Sequence, residues 1–433
     1  MLNVSDLRGL DPSATDLSDY LPRATIDLDR AIDIVRPIME DVREHGADAV
    51  ERWSLKFDGR VPEHLAVDPA YLQQSLDELP ADVRHGLETS IAHNRQGHEA
   101  QLPSEKTTEI VPGGFVTQRW VPVGRVGLYV PGGLAVYPSS VVMNVVAAQV
   151  AGVREIALVT PPQKEFGGQI HPTIAAACAL LGVEEVYAVG GAQAIAMLAY
   201  GVEGECPCRP VDVITGPGNI YVAAAKRLAR SVCGIDAEAG TTEIAIIADA
   251  QANPTFVAAD LVSQAEHDPA AASVLITDSE DLATAVDDQV SQRAQATRHT
   301  ERIRQALTGP QSGVLLVRDI DQAVQVANAY AAEHLEIQTA DAEGIARRIT
   351  NAGAIFVGPY SPVPLGDYVA GSNHVLPTSG TARYAAGLNV MAFIKPVQQI
   401  TYSREALAQV TPDLVALAQC EDLPAHGESA QCR

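Results

Sequence analysis

The chain has 433 residues, of which 47% are hydrophobic and 19% charged, and its 30 basic and 54 acidic residues give a net charge of −24. This length and composition are typical of a soluble globular protein with two or more domains. The negative charge argues against nucleic acid and anionic membranes as partners. We predict a cytoplasmic protein with reduced thiols, because no secretory signal or membrane span is recognisable and the six cysteines lack metal-finger spacing.

The hydrophobic pattern changes along the chain. Helical spacing covers 27–57, with a break at Gly46, and continues to about residue 108. Short apolar runs then alternate with helical stretches, which predicts parallel α/β units. The first series of strands is 125–130, 155–160, 185–189 and 211–215, and the second is 243–248, 273–277, 313–317 and 354–358. The tail beyond 385 reads as a hairpin-like piece and a helix over 403–420.

The predicted fold class is α/β, with two tandem doubly wound, incomplete Rossmann-like parallel-sheet domains and small helical N-terminal and C-terminal segments. The predicted division is an N-terminal segment (1–24), a main α/β domain (25–110 plus 240–385), a second α/β domain (111–239) and a C-terminal segment (386–433).

Two glycine-containing turns follow predicted strands of the first series. They are Gly190-Gly191-Ala192-Gln193 and Gly216-Pro217-Gly218-Asn219, and neither completes the G-x-G-x-x-G pattern of a Rossmann nucleotide site. Both turns and Tyr129 fall at the carboxyl ends of strands, where open α/β sheets bind ligands. Plain tight turns explain the two sequences about as well.

Gln264 and His267 end a predicted helix over 254–266. Residues three apart on a helix project from one face, and an amide oxygen with an imidazole nitrogen suits a borderline cation such as zinc. On its own, such a pair more often marks a solvated face or a capped helix end.

Three further stretches carry candidate functional side chains. Glu333 and His334 place two proton-transfer groups side by side after a helix, and both act on one substrate only if the backbone bends there. A glycine-punctuated loop carries Asp367 and His374, which are possible metal ligands. Glu421-Asp-Leu-Pro-Ala-His426 lies close to the end of the sequence. Each stretch alone also fits a surface pair, a capping residue or a frayed terminus.

Taken together and in order, seven motifs closely resemble the histidinol dehydrogenase family. They are RVGLYVPGG (125–133), GGAQAIA (190–196), TGPGN (215–219), LVSQAEHD (261–268), AEHLEIQT (332–339), GDYVAGSNHVLPT (366–378) and EDLPAHGESA (421–430). The resemblance implies oxidation of L-histidinol, through L-histidinaldehyde, to L-histidine with two NAD⁺, the last step of histidine biosynthesis. It also implies one zinc ion per subunit and a homodimer whose C-terminal segment reaches the partner's active site.

The same resemblance implies a role for each matching residue. Zinc ligands are Gln264, His267 and Asp367 together with His426 of the partner subunit, and Glu333 and His334 are the catalytic acid/base pair. The implied substrate contacts are Thr242, Gln264, His267, His334, Asp367, His374, Glu421 and His426, and the implied NAD contacts are Tyr129, Gln193 and Asn219.

The sequence departs from the family pattern in two places. Positions 240–243 read Gly-Thr-Thr-Glu where the family more often has Gly-Pro-Ser-Glu, so Thr242 keeps the hydroxyl and adds a methyl group. The segment 387–400 matches only loosely, which puts details of the dimer arm in doubt.

Three alternatives remain open at this stage. A related dehydrogenase of the same fold could oxidise another primary alcohol, such as a sulfonated diol, to an acid. A zinc-binding α/β protein without redox activity would bind metal but reduce no NAD⁺. A cysteine-dependent aldehyde dehydrogenase needs a nucleophilic thiol, and no cysteine lies within the matched motifs.

Overall fold

A computed structural model describes residues 1–12, 15–24, 27–59, 64–132, 136–237 and 240–433. Gly133, the last residue of the first motif, and residues at the predicted boundaries 24/25 and 239/240 lie outside these ranges. The α/β class with two parallel sheets is confirmed.

The described helices are α1 (Leu28–Asp58), α2 (Pro69–Asp77), α3 (Ala81–Glu99), α4 (Pro138–Val150), α5 (Pro172–Leu180), α6 (Gly191–Tyr200), α7 (Ile220–Ala229), α8 (Pro254–Ala265), α9 (Glu280–Ala296), α10 (Thr300–Thr308), α11 (Ile320–Tyr330), α12 (Ala342–Ala346), α13 (Val363–Tyr368), α14 (Arg404–Cys420) and α15 (Pro424–Gln431). The described strands are β1 (Asn3–Asp6), β2 (Lys106–Val111), β3 (Gly114–Pro122), β4 (Arg125–Tyr129), β5 (Glu155–Thr160), β6 (Glu185–Ala188), β7 (Val213–Thr215), β8 (Gly234–Ile235), β9 (Glu243–Ala248), β10 (Ala272–Thr277), β11 (Gly313–Leu316), β12 (His334–Gln338), β13 (Ala354–Val357) and β14 (Ile394–Tyr402).

Both parallel sheets have the same strand order. The five-stranded sheet runs β6-β5-β4-β7-β8, and the six-stranded sheet runs β1-β11-β10-β9-β12-β13. In each unit the first strand lies next to the fourth: β4 is next to β7, and β9 is next to β12. This position is the topological switch point of a doubly wound sheet.

The six-stranded sheet contains two strands that the hydrophobic pattern did not predict, the edge strand β1 and the inner strand β12. Strand β12 pairs in parallel with β9, with His334 opposite Ile244, and all five of its residues are buried. Its sequence, HLEIQ, alternates polar and apolar side chains, so it lacks the apolar run expected of a buried parallel strand.

The segments outside the two sheets are also placed. Helix α1 has its kink at Gly46, where φ is 55°, and packs against α6 and α7 of the five-stranded unit, as α2 does against α5 and α3 against α4. The sequence prediction grouped these helices with 240–385.

Strand β14 pairs antiparallel with β3 instead of forming a hairpin of its own, and α14 confirms the predicted tail helix. Within the described ranges, no helix has the length and apolar character needed to cross a bilayer.

Helix α3 approaches the 371–374 loop so closely that one helical position tolerates no side chain. A Cβ on Gly97 would lie 2.0 Å from the carbonyl oxygen of Gly371. We predict that Gly97→Ala destabilises the protein by about 1–3 kcal/mol, because backbone must move. Gly86→Ala on the same helix meets nothing within 4 Å and should stabilise by about 0.5–1 kcal/mol through helix propensity. Denaturant unfolding measures both, and equal effects would contradict the close approach.

Candidate active site

The predicted acid/base pair lies at the amino ends of β9 and β12. Glu333 immediately precedes β12, and His334 is its first residue. Helix α11 ends at Ala331 with φ of 50°, so the chain turns sharply just before the pair. Nδ1 of His334 lies 3.6 Å from Oε2 of Glu333, so the two side chains approach each other. Glu333 and His334 are 7% and 4% exposed, so the pair is not a surface feature.

A chain of hydrogen bonds joins Glu333 to helix α8. The Gln264 amide nitrogen donates to the Thr242 hydroxyl at 2.8 Å, and that hydroxyl donates to Oε2 of Glu333 at 2.6 Å. The backbone N–H of Glu243 donates to the same oxygen at 2.9 Å. The structure therefore brings together three residues assigned from separate motifs, and the threonine hydroxyl occupies the centre of the chain.

Burial of Glu333 governs its protonation. Burial raises the pKa of Glu333 to about 7, while the hydrogen bonds from Thr242 and from the Glu243 backbone, and the nearby His267, act in the opposite direction. A carboxyl group with a pKa near 7 can take up and release a proton at neutral pH.

His334 is oriented by one backbone carbonyl. Its Nδ1 lies 3.2 Å from the carbonyl oxygen of Glu243, which can only accept, so Nδ1 carries the proton. Nε2 is buried and has no hydrogen-bond partner among the residues that the structure describes. Burial lowers the pKa of His334, although Asp367 opposes the effect. The imidazole is therefore neutral at pH 7, with a lone pair on Nε2 that can accept a proton.

Gln264, His267 and Asp367 fit the predicted metal site. The Gln264 side-chain oxygen is buried without a partner, because the amide nitrogen makes the bond to Thr242. Nδ1 of His267 lies 3.3 Å from the Gln264 carbonyl oxygen, which leaves Nε2 free for a ligand. The negative charge of Asp367 reaches the same space, because it raises the pKa of Glu333 and opposes the lowering of the pKa of His334.

Among the described residues, no group of three or more His, Cys, Asp or Glu side chains is arranged to hold a metal ion. The predicted ligand set assigns only His267 and Asp367 of these types to one chain. Its other members are the amide of Gln264 and His426 of the partner subunit.

His374 connects the two α/β units. Its Nδ1 lies 3.2 Å from the carbonyl oxygen of Asp367, and its Nε2 lies 3.0 Å from the hydroxyl of Ser140 on α4. Asn373 donates to the backbone oxygen of Met143 on the same helix at 2.8 Å. The loop with the predicted metal and substrate residues is thus attached to the helix that follows β4.

Tyr129 and Gln193 lie at the carboxyl ends of the five-stranded sheet. The Tyr129 hydroxyl accepts a hydrogen bond from the N–H of Gly191 at 3.2 Å. Both polar atoms of the Gln193 side chain are buried, and neither has a hydrogen-bond partner among the described residues.

Asn219 has a structural role in the turn that precedes α7. Its side-chain oxygen accepts from the N–H groups of Tyr221 and Val222, which makes it the N-cap of the helix. Gly216, with φ of 117°, is in contact with the Tyr129 backbone, where a Cβ would lie 2.0 Å from the carbonyl oxygen. Asp236 accepts from the Gly216 N–H at 2.8 Å and fixes the turn.

Glu421 and His426 lie elsewhere in the chain. Both are exposed, Glu421 at the end of α14 and His426 on α15, and these two helices pack mainly against each other and β14. Their predicted roles in a partner's site stay predictions.

Sequence reasoning did not identify Glu243 and Ser140 as part of the site. Glu243 is 2% exposed and its backbone contacts both Glu333 and His334. A carboxylate opening the apolar run EIAIIA was a usable signal, because a charged residue in a buried strand is rare. Ser140 had no such signal, since only folding brings it to His374.

Two doubly wound sheets with a buried carboxyl–imidazole pair at the amino ends of β9 and β12 define an α/β enzyme with a buried acid/base site. The comparisons with known proteins specify the family. The family model described as histidinol dehydrogenase matches residues 21–433. Histidinol dehydrogenase from Nocardia farcinica is 59% identical, covering 99% of this chain and 97% of its own, and that from Thermobifida fusca is 58% identical, covering 99% and 96%. The crystal structure of histidinol dehydrogenase from Elizabethkingia anophelis superposes with a TM-score of 0.92 at 30% identity, covering 100% of this chain and 97% of its own.

The chain therefore belongs to the histidinol dehydrogenase family, and its function is that of an oxidoreductase of histidine biosynthesis. The alternative of a related alcohol dehydrogenase with another substrate is not favoured, because the relatives matched over nearly the whole chain carry the histidinol name.

Burial of Glu243 predicts a pH-dependent stability. Burial raises its pKa from 4.5 to about 7, with Arg23 opposing and Glu333 reinforcing the shift. Because the folded state binds this proton more tightly, the stabilisation is complete below pH 4.5 and is lost as the pH rises through about 7. Glu243→Gln should therefore gain stability relative to the unsubstituted protein by about 1.4 kcal/mol per pH unit in this window.

Denaturant unfolding of the metal-free protein between pH 4.5 and 7 measures this change. Glu185→Gln is the control. Although burial acts in the opposite direction, hydrogen bonds from Arg125 and Tyr187 lower the pKa of Glu185. The stability difference between Glu185→Gln and the unsubstituted protein should therefore stay constant across this pH window. A flat difference for Glu243→Gln as well would contradict the prediction.

Proposed function

We propose that the chain catalyses the NAD-dependent four-electron oxidation of L-histidinol, through L-histidinaldehyde, to L-histidine in a zinc-containing homodimer. The observation that carries this proposal is the buried, unpartnered Nε2 of His334 next to Glu333, which the hydrogen bonds through Thr242 connect to the unpartnered oxygen of Gln264. Such an arrangement has the base, the second proton carrier and a ligand atom in one closed space.

The zinc ligands proposed are Gln264 through its side-chain oxygen, His267 through Nε2, Asp367 and His426 of the partner subunit. When bound, zinc would orient the amino alcohol and polarise its oxygen. Neutral oxygen and nitrogen donors with one carboxylate suit this role. The hydrogen bond from His267 Nδ1 to the Gln264 carbonyl fixes the tautomer and ring orientation that such a ligand needs.

His334 is proposed as the base of the first oxidation. Its Nε2 takes the hydroxyl proton as hydride leaves the substrate carbon for NAD⁺. The lowered pKa keeps the ring neutral before the reaction, and the Glu243 carbonyl stabilises the imidazolium that forms.

Glu333 is proposed to act between the two oxidations. The aldehyde must be hydrated before a second hydride can leave, and the Glu333 carboxylate activates the water. Its pKa near 7 allows it to take this proton and release it. The Thr242 hydroxyl holds one carboxylate oxygen, which leaves the other to face the substrate.

The remaining roles follow from position. We propose that Thr242, His374 and the partner's Glu421 contact the substrate, together with the zinc ligands and His334. Tyr129, the unpaired amide of Gln193 and Asn219 are proposed to contact NAD at the carboxyl edge of the five-stranded sheet. A cytoplasmic location and the four-part domain division are proposed on the sequence pattern alone, and the exposed positions of Glu421 and His426 support the shared active site.

The reaction itself is tested by stoichiometry. We expect two NADH per L-histidinol, with no accumulation of free aldehyde, because one site completes both oxidations. The measurement is absorbance of NADH at limiting substrate, with and without a chelator. Turnover of another primary alcohol but not of histidinol would favour the related-dehydrogenase alternative, and chelator-insensitive turnover would contradict the zinc assignment.

His334→Asn tests the base. The variant should retain bound zinc but lose about 10²–10⁴-fold in kcat, because the amide keeps the bond to the Glu243 carbonyl and cannot accept the proton. Steady-state kinetics and metal analysis measure the two properties. His171→Asn, which replaces one N-cap of α5 by another, is the control. Unchanged kcat in His334→Asn would remove this residue from the mechanism.

A further inference from the structure

A second cluster of buried polar side chains lies behind the site. Glu336 and Gln338 follow His334 at two-residue spacing on β12, so all three point to the same face of the sheet. Asp260 lies on α8 one turn before Gln264 and faces this cluster. Glu336, Gln338 and Asp260 have no part in the proposed mechanism.

Glu336 is almost fully buried and uses both carboxyl oxygens. Oε1 accepts from the backbone N–H of Val363 at 3.1 Å, and Oε2 accepts from the amide nitrogen of Gln338 at 3.0 Å. The same amide nitrogen donates to Oδ2 of Asp260 at 3.1 Å. Glu336 is 1% exposed, so water does not compete for these bonds.

The side chain of Gln338 joins Glu336 to helix α8, because its amide nitrogen donates to the carboxyl groups of both Glu336 and Asp260. Two carboxyl groups that share one donor repel each other when both are charged. Burial and the adjacent Asp260 raise the pKa of Glu336 well above its ordinary value, which favours its neutral form. Glu336 is therefore bonded to α13 directly and to α8 through Gln338.

Helix α13 depends on this contact for its position. Val363 is its first residue and Asp367, a proposed zinc ligand, lies four residues later. Gly366 packs against β13 so closely that a Cβ would lie 2.7 Å from the Phe356 ring. Glu336 at one end and Phe356 near the other thus fix the short helix that presents Asp367.

We propose that Glu336, with Asp260 and Gln338, is a positioning unit that sets the metal-ligand helices α8 and α13 relative to the catalytic strand β12. The proposal rests on the zinc site of the proposed function. The Glu336 carboxyl on β12 binds α13 directly and α8 through Gln338, so the unit fixes the separation of Gln264 and Asp367 without touching metal or substrate. A small displacement of either ligand weakens the metal site.

The test compares Glu336→Leu with Glu336→Gln in the full-length protein. Leucine removes the acceptors for Val363 and for Gln338, whereas glutamine keeps an acceptor for Val363 and a polar amide beside Gln338 and Asp260. We expect Glu336→Leu to lose about 10–100-fold in zinc affinity, the range for residues that support metal ligands. Glu336→Gln should stay close to the unsubstituted protein. Competition with a chromogenic chelator measures zinc affinity independently of enzyme activity.

Gln322→Leu provides a matched control for lost stability. Gln322 is also about 1% exposed in the six-stranded unit, and it binds the backbone at Leu7 and Arg318. This variant should lower the melting temperature of the metal-free protein but leave zinc affinity unchanged. If Glu336→Leu does not fold, Asp260→Ala on a half-buried face of α8 replaces it, with the same expected loss of affinity.

The outcomes distinguish a failure of the positioning role from a failure of the proposed zinc site. Glu336→Leu or Asp260→Ala with native zinc affinity overturns the positioning role, and so does Glu336→Gln with the same loss as leucine. Absence of zinc binding in the unsubstituted protein, or native affinity in Asp367→Ala, would instead overturn the zinc site of the proposed function.

Discussion

The site depends on the backbone of one residue, Glu243, which binds two side chains through its N–H and its carbonyl oxygen. At the amino end of β9, the Glu243 N–H binds the Glu333 carboxylate and the Glu243 carbonyl binds Nδ1 of His334. The parallel register that places His334 opposite Ile244 makes this possible. Because both contacts come from one residue of a buried central strand, the acid and the base cannot move independently. Preorganisation of this kind lowers the cost of proton transfer.

The two α/β units use opposite edges of their sheets. Tyr129 and Gln193 lie at the carboxyl ends of the five-stranded sheet, where doubly wound folds ordinarily bind nucleotides, whereas the acid/base pair lies at the amino ends of the six-stranded sheet. The bonds from the 371–374 loop to Ser140 and Met143 on α4 hold these edges together. The proposed NAD contacts and the proposed acid/base pair therefore belong to two units that are hydrogen-bonded to each other.

Burial rather than surface charge controls the protonation of the site. The whole chain carries −24, but the groups that move protons are shielded from solvent. Burial raises the pKa of Glu333 to about 7 and lowers that of His334. The opposite shifts follow from one cause, since a low-dielectric surrounding disfavours the charged form of each group. Both pKa shifts therefore favour the uncharged form of each group near neutral pH.

The sequence determined the fold class and most of the strands, and it supplied the proposed site residues, because periodicity and motif order are properties of the chain itself. Predicted elements such as the strand 243–248 and the helix 254–266 lie where expected. Strand β12 was missed because His334, Glu336 and Gln338 interrupt its apolar pattern. Those polar side chains are buried only because α8 and α13 supply their partners, and such partners are set by tertiary contact. The Thr242 bridge, the link from His374 to Ser140 and the Glu243 peptide contacts likewise join residues far apart in the chain, so only the tertiary structure could decide them.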